Sequence, residues 1–159
     1  MLTNNELIIL SYLRKNARTS VSKIASETNI PVTTVFNKLR QLEDKKIITK
    51  YTSLIDYSLL NYHVRVNFAV KADKKTKLLD FLLQHKNVNS VSKLGNGHDF
   101  YFETIFPDMA ELYAFVESLE PFGIKSIQEH HIIEDIKKEE LFMRGDEVIF
   151  YPEHMLENN

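Results

Sequence analysis

Residues Ser20–Lys46 read SVSKIASETNIPVTTVFNKLRQLEDKK, and this stretch decides how the N-terminal third of the chain folds. Apolar residues recur at helical spacing on both sides of a break at Thr28–Pro31. Before the break they are Val21, Ile24 and Ala25, and after it they are Val35, Leu39 and Leu42. Asn29 suits the left-handed turn that ends a helix, and Pro31 is tolerated where the next helix begins. The pattern predicts a helix-turn-helix motif whose recognition helix is Val32–Lys45.

The composition is that of a packed protein with one ordinary domain or two small ones. The chain has 159 residues, of which 43% are hydrophobic, with four glycines and four prolines. The absence of cysteine excludes disulfides and thiolate metal sites. No apolar run is long enough to span a bilayer, and the N-terminal residues lack the basic region of an export signal. We therefore expect a cytoplasmic protein without a membrane partner.

The net charge of −2 hides an asymmetry along the chain. Residues 1–52 carry nine Lys and Arg against four Asp and Glu, a net charge of +5. Residues 53–159 carry eleven against eighteen, a net charge of −7. A basic first third joined to an acidic remainder is typical of a nucleic-acid-binding module attached to a domain that binds no polyanion. Two ordinary solvated surfaces would also give this distribution.

Capping signals place the helix starts within residues 1–52, the predicted DNA-binding domain. Thr3 and Glu6 have the spacing of a capping box, and we expect the first helix to end near Arg14–Asn16. Ser20 is a good N-cap for the short second helix. Three amphipathic helices in this order can close one small core, which would be marginally stable alone.

The stretch Ile47–Ile55 is rich in β-branched and aromatic residues, which predicts a strand. A strand directly after the recognition helix makes the motif a winged helix, although the same stretch is also suited to leading out as a linker. We place the linker between the two domains at residues 53–62.

From His63 onward the pattern changes to strands and two further helices. The predicted strands are His63–Val70, Val88–Leu94, His98–Phe106 and Ile124–Ile136, and the predicted helices are Lys74–Lys86 and one opened by Pro107 and Asp108. The order β-α-β-β-α-β predicts a ferredoxin-like domain over residues 63–141. The fold class is therefore α+β, an N-terminal winged helix-turn-helix followed by a ferredoxin-like βαββαβ domain. Residues 142–159 form a C-terminal extension with one more candidate strand, Glu147–Tyr151.

The two helices of the second domain cover only one face of its predicted sheet. The other face carries Ala69, Tyr101 and Ile105. A partly apolar sheet face that nothing in the chain covers usually binds a partner, most simply a second copy. We therefore expect a homodimer built through this domain.

The order of the two domains, together with three motifs, resembles the Lrp/AsnC (feast/famine) family of transcriptional regulators. The first motif, Leu7–Arg18, resembles the family's first helix and its loop. The second, Val32–Thr49, is similar to its recognition helix and following strand. The third, Gly95–Phe100, resembles the glycine-containing turn before the third strand of its effector domain. The resemblance covers roughly residues 3–141. It implies a regulator that binds double-stranded DNA as a dimer, tetramer or octamer and responds to a small effector such as an amino acid.

The resemblance places this effector near the glycine turn, where Gly95, Gly97 and Asp99 match the family's motif. Glycines let backbone amides approach a carboxylate, and the Asp99 side chain is able to receive an ammonium group. A tight β-turn favours glycine and aspartate without any ligand, so both interpretations stay open.

The chain departs from the family's pattern at three positions. The family commonly has glycine at the positions of Asn29 and Lys46. Asparagine is a mild replacement, whereas Lys46 predicts a different helix end. Phe36 stands where the family usually has a small polar residue. It either packs into the domain core or offers an apolar contact to a thymine methyl group.

The outward positions of the predicted recognition helix supply the DNA-binding candidates. They are Thr33, Thr34, Phe36, Asn37, Lys38, Arg40 and Gln41. Because the N-terminal part of a recognition helix meets base edges, we predict base contacts from the two threonines, Asn37 and Lys38. Lys38 and Arg40 are equally suited to phosphates. Ser20, Ser22 and Lys23 are expected to hold the DNA backbone from the start of the second helix.

The six histidines raise the question of metal binding or catalysis. His130 and His131 are neighbours in a predicted strand, so their side chains point to opposite faces and cannot share one ion. The sequence has no HExxH motif, thiolate or phosphate loop. We expect no catalytic residues, no metal and no cofactor. Two alternatives stay open: a siroheme-decarboxylase-like enzyme, which has this two-domain layout and would show tetrapyrrole absorbance, and an interaction module that binds no DNA.

Overall fold

A computed structural model describes residues 2–95 and 97–138 of the chain. The helices are α1 (Asn4–Lys15), α2 (Val21–Thr28), α3 (Val32–Asp44), α4 (Lys75–Gln84) and α5 (Met109–Ser118), and the strands are β1 (Val64–Ala72), β2 (Val88–Lys93), β3 (Phe100–Phe106) and β4 (Ile124–His131). No helix within the described ranges is long and apolar enough to cross a membrane. The predicted extension 142–159, with its candidate strand, lies outside the described residues.

The first of two compact units contains α1, α2 and α3 and extends to Leu54. Its helices begin and end where the sequence indicates. Thr3 and Ser20 accept hydrogen bonds from backbone N–H groups in the first turns of α1 and α2, and Asn29 ends α2 at φ 58°. The apolar faces of the three helices meet in a core whose fully buried members are Ile9, Ile24, Val35 and Leu42. This core fixes the orientation of α3 within the unit.

The end of α3 corrects the prediction made for Lys46. We expected a different helix end, yet Lys46 itself adopts the left-handed conformation at φ 56°. The Ile47 N–H donates to the Leu42 carbonyl (2.9 Å) and the Lys46 N–H donates to the Glu43 carbonyl (2.9 Å). These two bonds are those of a Schellman motif, which normally has glycine at the left-handed position. The sequence therefore keeps the turn and places a strained lysine in it.

The predicted strand at Ile47–Ile55 is wrong, since none of these residues is in a strand. A strand needs a neighbour that pairs its backbone N–H and C=O groups. Within residues 2–95 and 97–138, all strands belong to one sheet in the second unit, and none of them pairs with this stretch. The segment leads out of α3 without regular secondary structure, as a linker, which is the alternative that the pattern left open.

The second unit, Ile55–Ile136, holds an antiparallel sheet in the order β2-β3-β1-β4, with α4 and α5 on one face. This confirms the predicted α+β class and the βαββαβ order. The last strand is shorter than predicted and ends at His131. The register pairs Val66 of β1 with His131, and one further bond, from the Ile132 N–H to the Arg65 carbonyl (2.9 Å), continues the pairing past the end of the strand.

Aromatic side chains fill the space between the sheet and the helices. The rings of Phe68 on β1 and Phe102 on β3 stack with centroids 5.2 Å apart. The ring of Phe115 on α5 lies 5.8 Å from that of Phe68. All three are almost fully buried, and burying each contributes about 1.5–3 kcal/mol. The core therefore holds β1 and β3 firmly, and the glycine turn leads from β2 into β3.

The sheet face opposite the helices is more polar than predicted. Ala69 and Ile105 are only 6% and 5% exposed. Arg65 lies opposite Ile105 in the sheet, and its guanidinium bonds to the carboxylates of Glu103 (2.8 Å) and Asp135 (2.6 Å). The expectation of a homodimer rested on an exposed apolar surface at this face. That basis is weakened, because the face presents a network of paired charges instead.

The Schellman turn gives a first prediction. Lys46→Gly is expected to stabilise the helix-turn-helix unit by about 1 kcal/mol, because glycine removes the steric cost of the left-handed conformation. Urea denaturation of the full chain, followed by circular dichroism, measures the change. Lys46→Ala is the matched control, since it removes the charge but keeps the Cβ. An equal gain from both variants would trace the effect to charge and contradict the assignment.

Candidate nucleic-acid interface and effector turn

The outward face of α3 presents most of the predicted DNA-binding side chains to solvent. Its exposed members are Thr33, Phe36, Asn37, Arg40 and Gln41, whereas Thr34 and Lys38 are half-buried. The opposite face, with Val35 and Leu42, is in the core. The structure thus brings hydrogen-bond donors and a cation together on one helix face, which is the surface needed to reach base edges and phosphates.

The remaining predicted DNA-binding residues lie at the start of α2, the helix that precedes α3. Ser20, Ser22 and Lys23 are exposed. The Ser20 hydroxyl accepts a hydrogen bond from the Lys23 N–H (3.1 Å) and caps the helix. Ser20 therefore already has a structural role, and the hydroxyl of Ser22 and the ammonium of Lys23 are better placed to meet a phosphate.

The Lys38 ammonium forms an ion pair with Glu6 of α1. The sequence predicted Glu6 only as part of a helix cap. The Glu6 side chain is 3% exposed, and its Oε1 lies 3.6 Å from the Lys38 ammonium and 3.8 Å from that of Lys45. Its Oε2 accepts hydrogen bonds from the backbone N–H and the hydroxyl of Thr3, both at 2.7 Å. These Thr3 bonds, with a smaller contribution from the two lysines, lower the pKa of Glu6 from its ordinary 4.5 to about 2. A base contact from Lys38 would have to compete with this pairing.

Phe36 does not pack into the domain core, which excludes one of the two predicted roles. Its side chain is 49% exposed, and the Arg40 guanidinium lies 5.8 Å from the ring centroid, in the range of a cation–π contact. Phe36 also lines an open cavity of about 360 Å³ together with Val21, Val32, Thr33 and Asn37.

Val32 is a further member of this surface that the sequence did not single out. It is 50% exposed at the first turn of α3 and lies four residues before Phe36. Because residues i and i+4 share a helix face, the spacing of these two apolar residues was the signal that could have found it.

The predicted effector turn is tied into the second unit. Gly97 has φ 104°, a conformation that L side chains rarely adopt. The Asp99 carboxylate accepts a hydrogen bond from the Ala72 N–H (3.0 Å), and its Oδ1 lies 2.5 Å from the Lys75 ammonium. Lys75 and the Ala72 bond lower the pKa of Asp99. The position where an effector's ammonium was expected is therefore filled by the ammonium of Lys75.

The five histidines among the described residues belong to no metal site. Over residues 2–95 and 97–138, no group of three or more His, Asp and Glu side chains could hold a metal ion. His130 pairs with Asn67 across the sheet, and the His131 imidazole lies 3.8 Å from the Glu129 carboxylate.

The chain is similar to known proteins both in its N-terminal segment and over most of its length. Residues 2–49 match the family described as winged helix-turn-helix DNA-binding. The chain is similar to PH1692 of Pyrococcus horikoshii, an HTH-type transcriptional regulator, with 27% identity over 82% of this chain and 90% of that protein. It is also similar to the HTH-type transcriptional regulator YezC of Bacillus subtilis, with 23% identity over 72% of this chain and 83% of that protein.

Solved structures of Lrp/AsnC regulators share the fold. The regulator NMB0573 of Neisseria meningitidis, solved with L-Met, superposes with a TM-score of 0.80 at 22% identity, covering 87% of this chain and 94% of that one. LrpC of Bacillus subtilis superposes with a TM-score of 0.79 at 18% identity, covering 86% and 98%. AsnC of Escherichia coli gives 0.76 at 16% identity, covering 93% and 99%. The predicted resemblance is confirmed, as is the predicted class of function, a DNA-binding transcriptional regulator.

The low pKa of Glu6 gives the second prediction. Its ionised form contributes stability that is complete above about pH 4.5 and is lost as the pH falls toward about 2. Glu6→Gln should therefore unfold at lower urea at neutral pH and lose less further stability across this acid range. Urea midpoints measured at several pH values test this. Thr3→Ala, which removes the hydroxyl donor but keeps the backbone N–H that lowers this pKa most, should reduce the acid dependence in part in the same window. An unchanged acid profile in Glu6→Gln would contradict the assignment.

Proposed function

We propose that this Lrp/AsnC-type transcriptional regulator binds specific double-stranded DNA sequences through the outward face of α3, as a dimer or larger even assembly. The observation that carries the proposal is the exposed group of donors on that face, within a segment whose net charge is +5. Hydrogen-bond donors read base edges, while positive charge supplies the sequence-independent part of the affinity.

The geometry supports a division of roles among the candidates. Thr33 and Asn37 are exposed near the N-terminal end of α3, where base edges are met, and the Asn37 amide is suited to bidentate pairing with adenine. Arg40, Gln41, Ser22 and Lys23 are assigned to phosphates and sugars. Thr34 and Lys38 are half-buried and take secondary positions, with Lys38 held by Glu6.

The site favours a binding role over catalysis, and we propose that the protein acts in the cytoplasm. The similar proteins named above are transcriptional regulators. The conspicuous carboxylates, Glu6 and Asp99, are held by ammonium groups and backbone or hydroxyl donors that keep them ionised. A carboxylate held in this way is a poor general acid or base near neutral pH.

Salt dependence gives the third prediction. If α3 lies in the major groove, log Kd should rise steeply with log salt concentration. Arg40→Gln should reduce this slope by about one unit, because the variant neutralises one phosphate fewer. Lys77→Gln is the matched control, since it removes one exposed positive charge from α4 in the other unit. Fluorescence anisotropy on duplexes selected from a random library measures both slopes. Affinity that is independent of salt would sink the proposal.

The effector is proposed for the turn of Gly95, Gly97 and Asp99. The Neisseria relative was solved with L-Met, and we infer an amino acid or another small amine-bearing effector here as well. Its ammonium would replace that of Lys75 at Asp99, while the positive-φ glycine leaves open space beside the backbone. Because Lys75 is 58% exposed, its side chain can move away at modest cost.

Competition at Asp99 gives the fourth prediction. Lys75→Met keeps the length of the side chain but removes its charge, so it should bind the responding amino acid more tightly, on the order of tenfold. Asp99→Asn still accepts the Ala72 hydrogen bond and should lose the binding. Calorimetric titration of the full chain with a panel of amino acids tests both variants. Equal affinity in Asp99→Asn and the unmodified protein would show that the effector is not held at Asp99.

A further inference from the structure

We propose that the cavity beside Phe36 is a binding site for the 5-methyl group of thymine, so that part of the DNA sequence is read by apolar contact. The inference rests on the proposed function, and it names the chemical feature of the DNA that this chain selects. Two half-exposed apolar side chains, Val32 and Phe36, lie on the helix that carries the hydrogen-bond donors.

The cavity has the composition of a methyl site. Three of its five lining residues, Val21, Val32 and Phe36, are apolar. The two others, Thr33 and Asn37, bring a hydroxyl and an amide to the same rim. Thymine presents a methyl group beside a carbonyl acceptor in the major groove, so a site that joins apolar walls to hydrogen-bond donors matches its edge.

The size of the cavity agrees with a base edge. Its volume is about 360 Å³, well above the roughly 10–15 Å³ that a cavity needs, on the same measure, to hold one water molecule. This space takes the methyl-bearing edge of one pyrimidine or of two stacked neighbours. The cavity is open to solvent along the face of α3, so a duplex has direct access to it.

Phe36 is held in place for this contact by its neighbour on the next turn. The Arg40 guanidinium lies over the ring, 5.8 Å from its centroid, and this cation–π contact favours the observed placement of the ring. Arg40 also carries the positive charge assigned to a phosphate. An ordered ring flanked by a cation and by hydrogen-bond donors favours DNA as the occupant, because an apolar partner protein would leave these polar groups to be desolvated.

The test compares thymine with uracil, which differs only by the missing methyl group. Duplexes that bind the full chain are first selected from a random library. Each thymine is then replaced by uracil in turn, and the affinity is measured by anisotropy. Loss of one buried methyl group is worth about 0.8 kcal/mol, so the unmodified protein should lose about fourfold affinity at the thymine that occupies the cavity.

Three variants complete the cycle. Phe36→Ala should bind the thymine and uracil duplexes equally, while Phe36→Leu, which keeps an apolar side chain, should retain part of the discrimination. Tyr113→Ala is the matched control, because it removes a 62% exposed aromatic ring from α5 of the other unit. It should discriminate as the unmodified protein does. Phe36 is exposed and alanine favours helix, so the variant is expected to fold.

Each other outcome has a defined meaning. If uracil at every position leaves the affinity unchanged while steep salt dependence persists, the methyl site is wrong and the proposed function stands. If Phe36→Ala keeps the fourfold discrimination, the methyl group is read elsewhere and the inference fails. If Phe36→Ala instead alters the mass of the DNA-free assembly, with no uracil effect, a second copy covers the cavity and the inference also fails. If no duplex binds at low salt, the proposed function fails with it.

Discussion

A single buried carboxylate joins the beginning of the chain to the helix proposed to read DNA. Glu6 completes the capping box of α1 through Thr3 and reaches across to two lysines of the α3 region, Lys38 and Lys45. A buried charge is stable only when it is paired and hydrogen-bonded, and here both conditions are met. Because hydrophobic attraction is non-directional, this polar contact adds a directional constraint to the packing that orients α3.

Glu6 also shows that a side chain at an outward position of a helix can already be engaged in an ion pair. Periodicity placed Lys38 among the groove-facing residues, and its backbone position agrees with that. The side chain is nevertheless shared with Glu6, which lies thirty-two positions earlier in the sequence. Asp99 in the second unit is a similar case, because the place predicted for an effector's ammonium is occupied by the ammonium of Lys75. Long-range ion pairs of this kind depend on tertiary placement, which no local pattern reports.

The parts of the fold that local patterns determine were predictable. Thr3, Ser20 and Asn29 mark helix ends through their own hydrogen bonds or backbone preferences, and the alternation of β1 and β3 follows from one buried face. The structure of the stretch Ile47–Ile55 was not predictable, because strand formation depends on a partner strand beside it as much as on composition. The length of β4 likewise depends on how far it pairs with β1. The candidate site was predictable as a set of outward residues, but not in its pairing or in the role of Val32.

Two of the three departures from the family's pattern, Lys46 and Phe36, carry different physical costs. Lys46 carries a backbone cost of about 1 kcal/mol in a turn that glycine would form without strain. Phe36 carries a solvation cost instead, since half of a large apolar side chain faces water beside a half-exposed Val32. A cost in the backbone is the same whether or not DNA is bound. A cost in solvation is recovered only when a partner covers the surface, so Phe36 is the departure that binding can turn into affinity and selectivity.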